Sequence, residues 1–412
     1  MAWTYTRAFP LLKSIFTQEP ESLEIPGSLL GITNRSLLSE RRDVLPGAAR
    51  YVCATDGAEF PAGEGEGDAR PRGPQDGDLA CADVAFQGNG EFRYSQFRLR
   101  QPSPAAHAIF LLHGLNEREW DKYLPWAFRL VELTGAAVLL MPMAFHMNRA
   151  PAAWSRPKAM KPVATERQTR FPSVTASSVV NAAISARLHA IPQRFFWSGM
   201  QTYYDVLQLV REMRAGRHRD VHPQARVDFF GYSLGSFLAQ ILLMTNEERL
   251  FDQSRLFSFC GGPTFDRIYP VSKHILDSEA LIALYAFFIE QLDIEFTRDP
   301  RLAHYFQAHP AGPFFRAMLS NRKLKGLREQ RLREVSDQIA AVALEQDEVI
   351  QPSEVINTLT GDHRNIPISV RIRDFPYAYT HVKPFPHLTR WAEEVDQAFD
   401  DIMGLAACHL CP

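Results

Sequence analysis

Ser233 lies in Gly231-Tyr232-Ser233-Leu234-Gly235, with an apolar run at 227–230 before it and Phe237, Leu238, Ile241 and Leu242 at helical spacing after it. A serine placed between a strand and a helix is the pattern of a strained turn that pushes Oγ into the open at a helix N-terminus. Glycines stand at 231 and 235 because neighbouring backbone would come too close for a Cβ. A serine hydroxyl is a weak nucleophile at its ordinary pKa, so this reading requires a base, an acid to orient the base, and N–H donors for a developing oxyanion. His113-Gly114-Leu115-Asn116 directly follows the apolar run 109–112 and offers a backbone N–H to act with that of Leu234. Asp347 comes 114 residues after Ser233, just beyond the run 339–344. A carboxylate past the carboxyl end of a parallel strand faces the same sheet edge as the nucleophile. His381, 34 residues further on in Tyr379-Thr380-His381-Val382-Lys383-Pro384, is placed to bridge the two. His387 is a rival base, Asp266 a rival acid and Glu348 a third acid.

These residues need a scaffold that brings strand ends together. The short continuous apolar runs 108–112 and 137–141, with amphipathic spacing between them over 120–133 (Tyr123, Trp126, Ala127, Leu130, Val131), form a βαβ unit. A second helical pattern covers 200–213, and further strands are expected at 227–230, 255–260, 339–344 and 366–373, with a closing helix from 388 to 403. Strands alternating with helices indicate an α/β fold. Before this core, 84–100 alternates apolar and polar residues around Gly88-Asn89-Gly90, as in an antiparallel hairpin. Residues 54–80 hold six glycines, three prolines and seven acids against two arginines, a composition expected to give an exposed, mobile loop. The division expected is an N-terminal extension (1–104), a core (105–403) interrupted by insertions at 146–194 and 266–337, and a tail (404–412).

Composition narrows the function. With 45 Lys and Arg against 47 Asp and Glu in 412 residues, the net charge of −2 argues against nucleic acid as a partner. The longest apolar stretches fall far short of the ~20 residues that span a bilayer. Five cysteines without a leader-like N-terminus suit a cytoplasmic protein better than a secreted disulfide framework. Cys408-His409-Leu410-Cys411 has metal-like spacing at a chain end expected to fray, and the pair His218 and His222 lacks the glutamate of a zinc hydrolase motif and carries Pro223. No metal is therefore assigned.

Taken together, His113-Gly114, Gly231-Tyr232-Ser233-Leu234-Gly235, Gln346-Asp347-Glu348-Val349-Ile350 and His381 resemble the α/β-hydrolase superfamily in chain order: oxyanion loop, nucleophile elbow, acid, histidine. The resemblance covers about 105–403. It implies a mostly parallel eight-stranded sheet flanked by helices, Ser233 as nucleophile, His381 as general base and acid, Asp347 as its orienting partner, Leu115 and Leu234 as backbone oxyanion donors, and no cofactor. Glu345 stands where many members have a glycine, and both insertions are long. The activity expected is hydrolysis of a small-molecule carboxylic ester or thioester through an acyl-enzyme. Peptidase, lactonase and acyltransferase chemistry use the same parts, and an inactive binding or scaffold protein on the same fold is the alternative. The basic residues Arg149, Arg156, Lys158, Lys161, Arg167 and Arg170 are expected first as a solvated loop, with recognition of an anionic group on the substrate as the alternative. Tyr285, Phe287, Phe288, Tyr305, Phe306, Phe314 and Phe315 are expected either as the insertion's own core or as walls of an acyl pocket.

Overall fold

The structure, a computed structural model, describes residues 3–61, 82–101 and 103–411. Its strands are β1 (Ser22–Glu24), β2 (Leu30–Leu38), β3 (Arg50–Val52), β4 (Glu59–Pro61), β5 (Glu91–Leu99), β6 (Ala105–Leu112), β7 (Ala137–Met141), β8 (Val221–Tyr232), β9 (Leu256–Phe259), β10 (Ile339–Leu344) and β11 (Ser369–Arg373). Nine of them form one sheet in the order β1-β2-β5-β7-β6-β8-β9-β10-β11, and β3 pairs only with β4. From β7 to β11 every neighbouring pair is parallel, while β1, β2 and β5 close one edge antiparallel. This is the α/β-hydrolase fold, with β1 adding a ninth strand to the eight expected.

Both faces of the sheet are covered. On one, the helices Tyr5–Ile15, Leu124–Thr134 and Ala392–Leu410 pack through Tyr5, Trp126, Phe128 and Phe399. On the other lie Arg194–Arg214, Leu234–Thr245 and most of the two insertions. Local signals set the helix limits: Leu124–Thr134 opens with Pro125 and stops at Gly135 in the left-handed region (φ +66°). Leu234–Thr245 stops at Asn246 (φ +46°), whose N–H donates to Leu242 O.

Several local expectations are corrected. Residues 84–87 do not pair as the first strand of a hairpin; 83–85 and 87–89 are short 3-10 turns, and β5 takes β2 as its antiparallel partner. Alternation specifies a half-buried strand but not its partner. Of the expected loop 54–80, Glu59–Pro61 is strand β4, and 62–80 lies outside the described residues. The final helix continues through 404–410 instead of ending at 403, because Ala406 and Leu410 are buried against the sheet.

The two insertions fold as one cap. Arg167 forms a two-pronged ion pair with Asp277 (2.6 and 2.8 Å), Ser178 Oγ donates to Lys273 O (2.6 Å) and Asn181 Nδ2 to Ser272 O (2.8 Å). Asn116, beside the expected oxyanion loop, donates from Nδ2 to Val180 O (3.1 Å) and His274 O (2.8 Å), one in each insertion. Of the basic residues in 146–170, Arg149 is buried against Asp205 (2.8 Å) and Arg167 against Asp277, while Arg156, Lys158, Lys161 and Arg170 face solvent. Breaking a buried pair of this kind costs about 3–5 kcal/mol, so Arg149 and Arg167 act as cap fasteners.

Candidate active site

Register places the site. Leu112 is level with Gly231 in the β6–β8 pair, and Tyr232 with Phe259 in β8–β9, so the loop after β6 and the turn after β8 leave the sheet side by side. Ser233 adopts φ +54°, ψ −118°, a region that a residue with a Cβ occupies only under constraint. The constraint is visible: Ser233 N–H donates to Phe259 O (3.2 Å), and Ser236 Oγ donates back to Gly231 O (2.7 Å). A Cβ at Gly231 would stand 2.6 Å from Ser236 Cα, and one at Gly235 would stand 2.1 Å from Leu112 O. The second contact presses the helix Leu234–Thr245 against the end of β6, and so brings Leu234 next to the His113 loop.

His381 reaches this turn from the loop after β11. Its Nε2 is 2.9 Å from Ser233 Oγ and its Nδ1 is 2.7 Å from Asp347 Oδ2. Asp347 is buried, and its Oδ1 accepts the N–H groups of Val349 and Ile350 (2.9 Å each), which leaves Oδ2 for the imidazole. Tyr232 orients His381 in two ways: its hydroxyl donates to His381 O, and its ring stacks on the imidazole with centroids 5.5 Å apart. Lys122 Nζ donates to Val382 O (3.2 Å), fixing the same loop from the other side.

The His113 loop is braced as firmly. Met143 N–H donates to His113 Nε2 (3.0 Å), so the ring proton sits on Nδ1, which donates to Gly114 O (2.8 Å). Burial drives the His113 pKa down to about 3, keeping this neutral form. A trans peptide sets its C=O and N–H antiparallel, so holding Gly114 O fixes the direction of the Leu115 N–H. Gly114 N–H is used up on Tyr123 Oη (3.1 Å), whose hydroxyl passes its own proton to Glu117 (3.1 Å). Among the described residues the Leu115 and Leu234 N–H groups have no acceptor, and both residues line the cavity that opens onto Ser233.

Two cavities meet here. One includes Ser233 and is walled by Pro263, Ile268 and Ile275. The other, almost wholly apolar, runs between the cap and the helix Arg194–Arg214 and is lined by Met143, Leu188, Gly199, Phe288 and Phe315. They share Leu115, Phe195, Leu234 and Phe237. Of the insertion aromatics singled out from the sequence, Phe288 and Phe315 line a cavity, whereas Tyr305 and Phe306 pack on Trp197 and Phe196.

The rivals lie elsewhere. His387 donates to Thr6 O (3.1 Å) and stacks on Phe9; Asp266 accepts the Asn321 N–H (2.9 and 3.0 Å) and holds a turn of the cap; Glu348 is exposed. His218 bonds Tyr94 Oη (3.0 Å) while His222 faces solvent, so that pair does not converge. Sequence spacing gave no sign of Cys260, whose buried thiol is pushed well above its usual pKa by desolvation and then by Asp347, to which it hydrogen-bonds. Its signal was its place one residue past β9, beside the acid loop.

A family described as one of unknown function (DUF6051) matches residues 3–411, and the chain belongs to it. No curated protein sequence matches the chain. Among solved structures it is similar to carboxyl esterase 2 of the mycorrhizal fungus Tuber melanosporum (13% identity over 78% of this chain and 82% of that one, TM-score 0.44). It is also similar to brefeldin A esterase, a bacterial homologue of human hormone sensitive lipase (12% identity, 98% and 85%, TM-score 0.44). A third is the acylaminoacyl peptidase of Pyrococcus horikoshii (12% identity, 78% and 40%, TM-score 0.39).

Proposed function

We propose that this member of the DUF6051 family is a serine hydrolase that cleaves a carboxylic ester or thioester with an apolar acyl group, through an acyl-enzyme on Ser233. The observation that carries the reading is the hydrogen-bonded line Ser233 Oγ–His381–Asp347 next to two unengaged N–H groups, those of Leu115 and Leu234. In the first half-reaction His381 Nε2 takes the Ser233 proton as Oγ attacks the acyl carbon. The oxyanion accepts from Leu115 and Leu234, and collapse expels the leaving alkoxide or thiolate, which takes the proton from His381. Water then repeats the sequence and frees the acid. Asp347 keeps the Nδ1–H tautomer and stabilises the imidazolium.

The cavity behind Leu115 and Leu234 supports the acyl assignment. Its exposed wall area is almost wholly apolar, though His146, Arg187, Ser198 and Thr202 also line it, and transfer of each methylene into such a space is worth about 0.8 kcal/mol. Among the described residues no helix is long and apolar enough to cross a membrane. A cytoplasmic location belongs to the same proposal and rests on the four free cysteines at 53, 260, 408 and 411.

The test is fluorophosphonate labelling of the folded protein, with the adduct located by mass spectrometry, followed by a series of p-nitrophenyl esters of increasing acyl length. The expected result is one adduct, on Ser233, that is absent in Ser233→Ala, with turnover rising beyond acetate. A folded protein that neither labels nor hydrolyses any ester or thioester would overturn the reading in favour of a binding protein on this fold.

A further inference from the structure

We infer that Cys53, Asp56 and His304 form a zinc-binding site that ties the β3–β4 hairpin to the second insertion. Their ligand atoms, Cys53 Sγ, a carboxylate oxygen of Asp56 and a ring nitrogen of His304, all lie within 4.8 Å of one another. None of the three lines the cavities at Ser233, so this is a separate site.

Each partner is held in a geometry that suits ligation. Cys53 and Asp56 sit in the β3–β4 turn, which is closed by Cys53 N–H to Ala58 O (2.8 Å) and Gly57 N–H to Cys53 O (2.9 Å). Asp56 Oδ1 accepts the Ala58 N–H (3.0 Å), leaving Oδ2 turned toward His304, 3.3 Å from Nε2. The His304 ring is packed in place by Phe60 and Tyr305, with its buried Nε2 at ion-pair distance from Asp56 Oδ2. Asp56 also hydrogen-bonds the Cys53 thiol, so an imidazole nitrogen, a carboxylate and a buried thiol converge on one point, a donor set that suits a shared metal ion. Zinc bound tetrahedrally holds neighbouring ligand atoms ~3.5 Å apart, so small side-chain rotations complete the shell. The Cys53 thiol proton passes to solvent as the thiolate binds, and the fourth position falls to water on the exposed side of Asp56.

One thiolate, one imidazole and one carboxylate suit zinc better than calcium or magnesium, which prefer oxygen ligands alone. The site joins a hairpin that lies outside the main sheet to the helix Pro300–Gln307. The next helix, Gly312–Leu319, carries Phe315 of the apolar cavity. Zinc is thus placed to hold that wall of the cap.

The test is titration of the full-length, chelator-treated protein with cobalt, followed by zinc displacement. One equivalent should bind with a thiolate-to-cobalt charge-transfer band that zinc abolishes. Cys53→Ser should lose the band. Asp56→Asn, a change at an exposed turn that leaves the fold intact, should weaken binding by more than the roughly 10–100-fold that losing an outer-shell partner costs. The paired change Cys408→Ser and Cys411→Ser should leave the titration unaltered. Absence of the band in the wild-type protein, its persistence in Cys53→Ser, or its loss on changing the C-terminal cysteines overturns the site. Ser233 labelling plays no part in the readout, so the result is independent of the hydrolase proposal.

Discussion

Two places along β8 carry the same sequence of chemical groups with opposite surroundings. At its carboxyl end Ser233 Oγ, His381 and Asp347 are linked at 2.9 and 2.7 Å. Within the strand, four residues before Tyr232, Asp228 anchors a second line: Cys411 Sγ, His107 and Asp228 are linked at 3.5 and 2.8 Å, a thiol, imidazole and carboxylate in order. The second set lacks everything else. Asp228 is also paired with Arg226 (2.9 Å) and accepts the Arg255 N–H (2.8 Å), which makes it a clamp between β6, β8 and the start of β9. Cys411 is exposed at a helix end, and desolvation pushes its thiol up. Ser233 instead sits on a strained turn, beside two unengaged N–H groups and over an apolar cavity. A linked triad of groups is therefore not a site by itself. The strained turn at Ser233, the two unengaged N–H groups beside it and the apolar cavity separate the two places, and on the proposed function they are what catalysis there requires.

Mutation of each set tests that distinction. The largest effect is expected for Ser233→Ala or His381→Ala, each lowering kcat by about 10⁴–10⁶ in a steady-state ester assay, the two together costing little more than one because they act as a unit. Asp347→Asn should cost about 10⁴ by leaving the wrong imidazole tautomer; a rate within tenfold of wild type would strip Asp347 of its role. His113→Ala removes the brace on Gly114 O and frees the Leu115 N–H to swing, so kcat should fall about 10²–10³ with KM nearly unchanged, comparable to deleting an oxyanion donor. An equal rise in KM would make His113 a packing residue only.

Smaller effects discriminate finer features. Buried histidines lie at both ends of the sheet, with His113 held down to about 3 and His218 to about 4, in each case mainly by desolvation. Their folded pKa values lie below the unfolded value near 6.5. Stability is complete above that value and declines as pH falls toward the folded pKa, by up to ~1.4 kcal/mol per pH unit for each such histidine. Urea unfolding between pH 7 and 5 should show this decline, and His218→Gln should reduce it while leaving turnover at pH 7 unaltered. Gly199→Leu, whose Cβ would sit 3.4 Å from Phe315 Cε1, should lower kcat/KM for long acyl esters at least about tenfold and spare acetate. Cys411→Ser and His387→Ala should leave ester turnover within about twofold; a large loss in Cys411→Ser would return the Cys411–His107–Asp228 line to consideration as chemistry.

Much of this is legible in the amino-acid sequence. The turn at Ser233 is a local object, written in Gly231, Gly235 and the apolar runs on either side, and β7 appears at 137–141 as read from its continuous apolar run. Asp347 and His381 could be named but not separated from Asp266 and His387, because strand ends specify which edge a loop reaches and not which side chain arrives. Residues 84–87 misled because alternation is satisfied equally by a hairpin and by a turn feeding a strand whose partner, β2, lies far back in the chain. The closing helix runs past its expected end because burial of Leu410 depends on a sheet face that the local pattern does not contain.

What the sequence determined by itself was the set of short-range objects: parallel strands as apolar runs, helices as periodic stripes, and a glycine-flanked serine between the two. Each depends on backbone sterics and side-chain spacing within a dozen residues. Only the tertiary structure decided the pairwise matters: which imidazole meets Ser233, that Tyr232 and Cys260 contact His381 and Asp347, that Asn116 ties the two insertions to the loop after β6, and that Cys53, Asp56 and His304 converge. These contacts join residues far apart in the chain. Their selection comes from packing on a common sheet, where a hydrogen bond forms only between groups that the buried core has already brought within reach.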